Sequence, residues 1–138
     1  PVTAIAHADA AAYCAEVVTR LPTASEWESF ARGPSWNPFS WGDQFDPSAV
    51  VWRGHPLRER RQLTAVNNAA ALSPRGHVGM LGNVREWVAT PYGPALKGGS
   101  YLTVDPADLR AAAIKMMPSG GAGVAFGFRC ATTLEDWP

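Results

Sequence analysis

Arg20-Leu-Pro-Thr-Ala-Ser-Glu-Trp-Glu28 is the stretch from which the fold can be read. Pro22 interrupts any helix arriving from upstream. Thr23, followed by Glu26, is a capping box, in which the threonine hydroxyl and the glutamate carboxylate satisfy the first free amides of a new helix. That helix places Trp27, Phe30 and Ala31 on one stripe and stops at Gly33-Pro34, a helix-ending glycine before a residue that cannot continue. Upstream, residues 8–18 are alanine-rich and set Ala11, Cys14, Ala15 and Val18 at helical spacing. They predict a first helix with a small-residue face suited to close packing.

Downstream the texture changes. Residues 34–94 are mostly Gly, Pro, Asn, Asp and Ser between isolated tryptophans, Trp36, Trp41, Trp52 and Trp87. A low-complexity linker would lack those rings, so the expectation is long ordered loops pinned by aromatics, with no domain boundary. The run Arg58, Arg60, Arg61, broken by Glu59, reads as a solvated loop. Short strands are predicted within 82–88, 95–101 and 125–131, each bordered by Gly or Pro. Two helices followed by short strands make an α+β domain, not a parallel α/β sheet.

Composition narrows the function. At 138 residues, one domain is the default. Twelve basic residues cancel twelve acidic ones, so no global field draws the chain to nucleic acid or an anionic membrane, and no apolar run is long enough to span one. The two cysteines, Cys14 and Cys130, form no metal-binding cluster and are either buried thiols or one bridge. The three histidines, His7, His55 and His77, are scattered. There is no internal repeat, no GxGxxG opening a helix, no Walker A motif and no GxSxG. Glycine-rich 120–124 is followed by neither a lysine nor a helix start.

Four motifs in order carry a resemblance: the opening stretch, Gly82-Asn-Val-Arg-Glu-Trp87, Lys97-Gly-Gly-Ser-Tyr101 and Gly127-Phe-Arg-Cys-Ala131. Together they resemble the formylglycine-generating enzyme (sulfatase-modifying factor) family, whose members share a variant C-type-lectin fold. The resemblance implies one domain over 1–138, with two helices, short antiparallel strands and long ordered loops. It also implies that the family's usual N-terminal segment is lacking. Catalytic relatives hold copper(I) with two cysteines just after the GGSY-like motif. The matching positions here are Thr103 and Asp108, hard oxygen groups unsuited to that ion, so no copper is expected. Cys14 and Cys130 match the positions of a structural disulfide.

By the same resemblance Asn83 and Glu86 keep the oxygen groups of one of two calcium sites, while Val50 and Gly79 stand where the other ligands would be. The implied function is a non-catalytic ligand- or protein-binding domain. Its expected face is Tyr92, Tyr101, Thr103, Asp105, Asp108, Arg110 and Lys115. Relatives of this kind include bacterial sensor modules and displayed variable proteins. The alternative is an enzyme of the same fold, formylglycine-generating or iron-dependent, whose metal site is completed by another segment or chain. Its partner would be a protein or small molecule, with no nucleic acid and no membrane insertion.

Overall fold

A computed structural model describes residues 1–68, 72–118 and 120–133. Two helices, α1 (His7–Glu16) and α2 (Ala24–Arg32), precede four short strands, β1 (Arg85–Val88), β2 (Ala95–Lys97), β3 (Ile114–Met116) and β4 (Phe126–Gly127). The strands form one sheet in the order β3-β2-β1-β4. The β1–β2 and β2–β3 pairs are antiparallel, whereas β4 runs parallel to β1. The sheet is therefore mixed, where only antiparallel strands were expected.

The sheet divides the core in two. In a strand, alternate side chains point to opposite faces. Register pairs Trp87 with Leu96, and on the other face Val88 with Ala95 and Glu86 with Lys97. Trp87 and Leu96 pack with Ala10 and Cys14 of α1. Val88 and Ala95 pack with Trp27 and Ala31 of α2, joined by Phe39, Val50, Trp52, Met80 and Leu109 from the loops. One helix thus covers each face of a sheet too small to stand alone.

The capping box of α2 forms as its sequence dictates: Glu26 N donates to Thr23 Oγ1 at 3.2 Å, and Thr23 N to Glu26 Oε2 at 2.8 Å. Gly33, in the left-handed region at φ 65°, closes the helix. Trp27 and Ala31 are buried as expected, with Phe30 half-buried. Helix α1 stops at Glu16, two residues short of the expected end, and Val18 takes φ 57°. The bridge between Cys14 and Cys130 is present, with Cα atoms 5.5 Å apart, and fastens α1 to the chain just past β4.

All three predicted strands exist but are shorter than their segments. After Lys97 the chain turns through Gly98 at φ 93° and Gly99 at φ 66°. A Cβ on Gly98 would stand 2.6 Å from the Met80 carbonyl, so a side chain there is excluded on two counts. Strand β3 was not foreseen. The loop aromatics do pin the backbone: Phe39 stacks on Trp41 at 5.2 Å, and Phe45 meets Trp52 edge-on. Trp36 is the exception, 55% exposed and covered only by the Arg32 guanidinium.

Candidate functional site

The four sequence motifs converge on one buried polar network. Trp27 Nε1 donates to Glu86 Oε2 at 2.7 Å, and Arg129 donates to the same carboxylate through Nε (2.5 Å) and Nη2 (2.7 Å). Arg129 Nη2 also reaches the Val78 carbonyl at 3.1 Å. The fourth motif joins through Lys97, whose ammonium donates to Glu28 at 3.1 Å and sits 5.7 Å above the Trp27 ring. Burial pulls the Lys97 pKa down, and the Glu28 hydrogen bond opposes that shift. A buried carboxylate is tolerated only when paired and hydrogen-bonded, and both Glu86 oxygens are.

This network decides what Asn83 and Glu86 are free to do. Asn83, at φ 60°, closes its side chain on one backbone position: its Oδ1 accepts from Thr64 N and its Nδ2 donates to Thr64 O, both at 3.0 Å. Calcium needs several free oxygens, whereas both of these side chains have partners within the protein. The carboxylate is held by a guanidinium, and the amide is spent on the loop.

The expected ligand face is divided by the sheet. Tyr92, 89% exposed, lies in the turn joining β1 to β2. Lys115 is on edge strand β3, opposite Leu96. Tyr101, Thr103, Asp105, Asp108 and Arg110 follow the other end of β2. Thr103 does not belong to an open face: it is buried, and its Oγ1 accepts the Ser100 amide at 2.9 Å. Asp105 caps a 3-10 turn (Pro106–Leu109) by accepting from Ala107 N at 2.8 Å. Asp108 pairs at 3.4 Å with Arg85, a residue outside the expected face. Exposed on this end are Asp105, Asp108 and Arg110, with Tyr101 half-buried.

The histidines differ. Buried His55 is committed on both nitrogens, Nδ1 accepting from Leu57 N at 2.9 Å and Nε2 lying 3.2 Å from Ser48 O. His7 stands edge-on to Trp87, and burial lowers its pKa. His77 has a half-buried ring packed on Phe30, and burial likewise lowers its pKa, with Arg129 and Arg75 adding to the effect.

Residues 1–134 match the model of the sulfatase-modifying factor enzyme 1-like domain. The chain belongs to this family. Among curated family members it is 35% identical over 151 residues to mouse inactive C-alpha-formylglycine-generating enzyme 2, covering 96% of this chain and 49% of the relative. It is 36% identical over 103 residues to the formylglycine-generating enzyme of Mycobacterium tuberculosis, covering 68% of this chain and 34% of that enzyme. The chain thus spans about half the length of the first of these relatives and a third of the second.

Solved structures show the same fold. PvdO from Pseudomonas aeruginosa superposes with a TM-score of 0.76 at 18% identity, over 93% of this chain and 60% of that one. Treponema denticola variable protein 1 does so with a TM-score of 0.65 at 20% identity, over 79% and 45%. The family's C-type-lectin-like α+β architecture is thereby established for this chain. Among the described residues no helix is long and apolar enough to cross a membrane.

Proposed function

We propose that this chain is a non-catalytic ligand- or protein-binding domain of the sulfatase-modifying factor family. The observation that carries the proposal is the chemistry of the two positions where family resemblance puts the copper thiolates. Thr103 and Asp108 offer hard oxygens, one turned inward onto the Ser100 amide and the other paired with Arg85. The sequence's two cysteines are joined to each other, so no thiolate is left to bind copper(I). That a 35% identical relative bears the name "inactive" supports the same reading. The binding surface is the end of the sheet after β2, where Tyr101, Asp105, Asp108 and Arg110 offer aromatic, anionic and cationic groups on a fixed frame.

The test has two arms. Incubated with copper(I), oxygen and a cysteine-containing sulfatase peptide, the protein is expected to form no formylglycine, and turnover above a no-protein control overturns the proposal. Screened against peptide and glycan arrays, it is expected to bind at least one class, with binding lost in Tyr101→Ala or Arg110→Ala. Installing Thr103→Cys with Asp108→Cys tests the location of the missing metal position, with copper(I) uptake expected only in the double variant. Metal analysis of the purified protein bears on the enzymatic alternative, which stoichiometric iron or copper would favour. Calcium at Asn83 and Glu86 would have to displace Arg129 and the Thr64 backbone. A calcium titration followed by melting temperature tests it.

A further inference from the structure

At one edge of the sheet, β3 has a neighbouring strand on one side only. Met117 N donates to Pro94 O at 3.0 Å, in step with the pairing of Met116 to Ala95 and Lys115 to Leu96. Backbone groups of an antiparallel ladder alternate in direction, so Lys115 and Met117 turn theirs toward β2, and Ile114 and Met116 turn theirs outward. Among the described residues nothing pairs with those outward N–H and C=O groups. The Ile114 and Met116 side chains, 49% and 48% exposed, share one face of the sheet. Lys115 is exposed on the other and makes no ion pair among the described residues. The first residues of the chain pass the opposite edge, where Ala4 N donates to Gly123 O at 3.2 Å and a Cβ on Gly127 of β4 would meet the Val2 carbonyl.

We propose that the β3 edge docks an extended segment of a partner protein in which an acidic residue stands between two apolar ones. A strand added to an open edge gains affinity from main-chain hydrogen bonds and specificity from alternate side chains. Here Ile114 and Met116 offer two donors and two acceptors, and their side chains lie beside whatever the partner places opposite them, which selects apolar groups. Charge decides against a second copy of this chain. In the antiparallel register that uses every outward group, Ile114 pairs with the copy's Met116, and Lys115 faces the copy's Lys115. That position falls between hydrogen-bonded pairs, where facing Cα atoms approach to about 4.5 Å and like charges destabilise. A carboxylate there instead meets the ammonium. The chain leading into β3 adds a second exposed cation, Arg110, whereas Asp108 is already paired with Arg85. The docked segment is short, because a turn precedes β3 and Pro118, which has no N–H, follows Met117.

Two peptides blocked at both ends test this, Thr-Val-Glu-Val-Thr and Thr-Val-Lys-Val-Thr, each titrated into the 15N-labelled chain. The glutamate peptide is expected to shift the Ile114 and Met116 amide resonances saturably and to slow their hydrogen exchange, with the lysine peptide weaker by roughly threefold or more. Lys115→Glu is expected to reverse that order. Met116→Pro is expected to abolish binding of both peptides, with its spectrum elsewhere unchanged as the control for folding. It deletes an outward N–H without touching the ladder to β2, and Lys115 before it is already extended, as proline requires. No shift with either peptide, shifts confined to other residues, an order of affinity that survives in Lys115→Glu, full binding by folded Met116→Pro, or a wild-type dimer with its β3 amides protected overturns the proposal.

Discussion

Glu86→Ala is the substitution that most directly probes what holds the domain together. Glu86 is 5% exposed and accepts hydrogen bonds from Trp27 and from two nitrogens of Arg129. Deleting it leaves a mostly buried guanidinium without its counter-charge, a loss of about 3–5 kcal/mol. It also strands a buried indole N–H, worth a further 1–3 kcal/mol or so, though the two costs overlap because both groups relax into the same gap. An expectation of at least about 3 kcal/mol is then a large part of the roughly 5–15 kcal/mol that holds a domain folded.

Urea unfolding followed by tryptophan fluorescence reads this out, as a midpoint lowered by about 1–3 M for a domain of ordinary denaturant sensitivity. Arg129→Met should cost a comparable amount, because it orphans the carboxylate instead. Glu86→Leu combined with Arg129→Met should cost clearly less than the sum of the singles, since neither charge is then left unpaired. A loss under about 1 kcal/mol for Glu86→Ala, or strict additivity in the double variant, refutes the claim that three of the four motifs are coupled through this carboxylate.

Three further outcomes follow from the structure. Reducing the Cys14–Cys130 bridge should lower the melting temperature, with a ceiling of about 4.7 kcal/mol for closing a loop of a hundred or so residues; an unchanged melting curve in reductant refutes the bridge. Trp87→Ala should cost about 3–5 kcal/mol, since the ring is fully buried and its Nε1 donates to the Ile5 carbonyl at 2.9 Å; a urea midpoint near wild type would place it at the surface. Acid should weaken the fold in two windows. His7 and His77 titrate below 6.5 when folded, so the unfolded chain binds more protons and stability falls as pH drops beneath that value. Glu26, held down to about 2 chiefly by the Arg20 hydrogen bonds, contributes above 4.5 and is lost as pH falls toward 2. Urea midpoints that rise on acidification from pH 7 contradict both assignments.

The α2 capping box was legible because it is a local device, complete within four residues. The four motifs were legible as a set, but their meeting point was not, because Trp27 and Glu86 lie 59 residues apart and nothing local encodes their bond. Strand β3 was hard to read in the sequence: Ile114, Lys115 and Met116 alternate apolar and polar, but three residues are too few to mark a strand, and all three are exposed, so it is recruited through its backbone. The spread of the expected ligand face over both ends of β2 was not legible for a related reason. Tyr92 and Tyr101 are near in sequence, whereas the β1–β2 hairpin carries Tyr92 to the opposite end of β2 from Tyr101. Thr103 looked like a display position, but its hydroxyl had a nearer partner in the Ser100 amide. Arg129 is one letter of a motif in the sequence, and only the fold brings its guanidinium onto Glu86, 43 residues away.

The placement of β4 beside β1 has a consequence in time. During synthesis α1 leaves the ribosome 116 residues ahead of its covalent partner. At roughly 5–20 residues per second, that is an interval of about 6–23 s before the bridge can form, although Trp87 and Leu96, on which Ala10 and Cys14 pack, emerge sooner. Within these 138 residues, however, the Cys14 thiol has no wrong partner, because Cys130 is the sequence's one other cysteine and emerges just after the strand that completes the sheet.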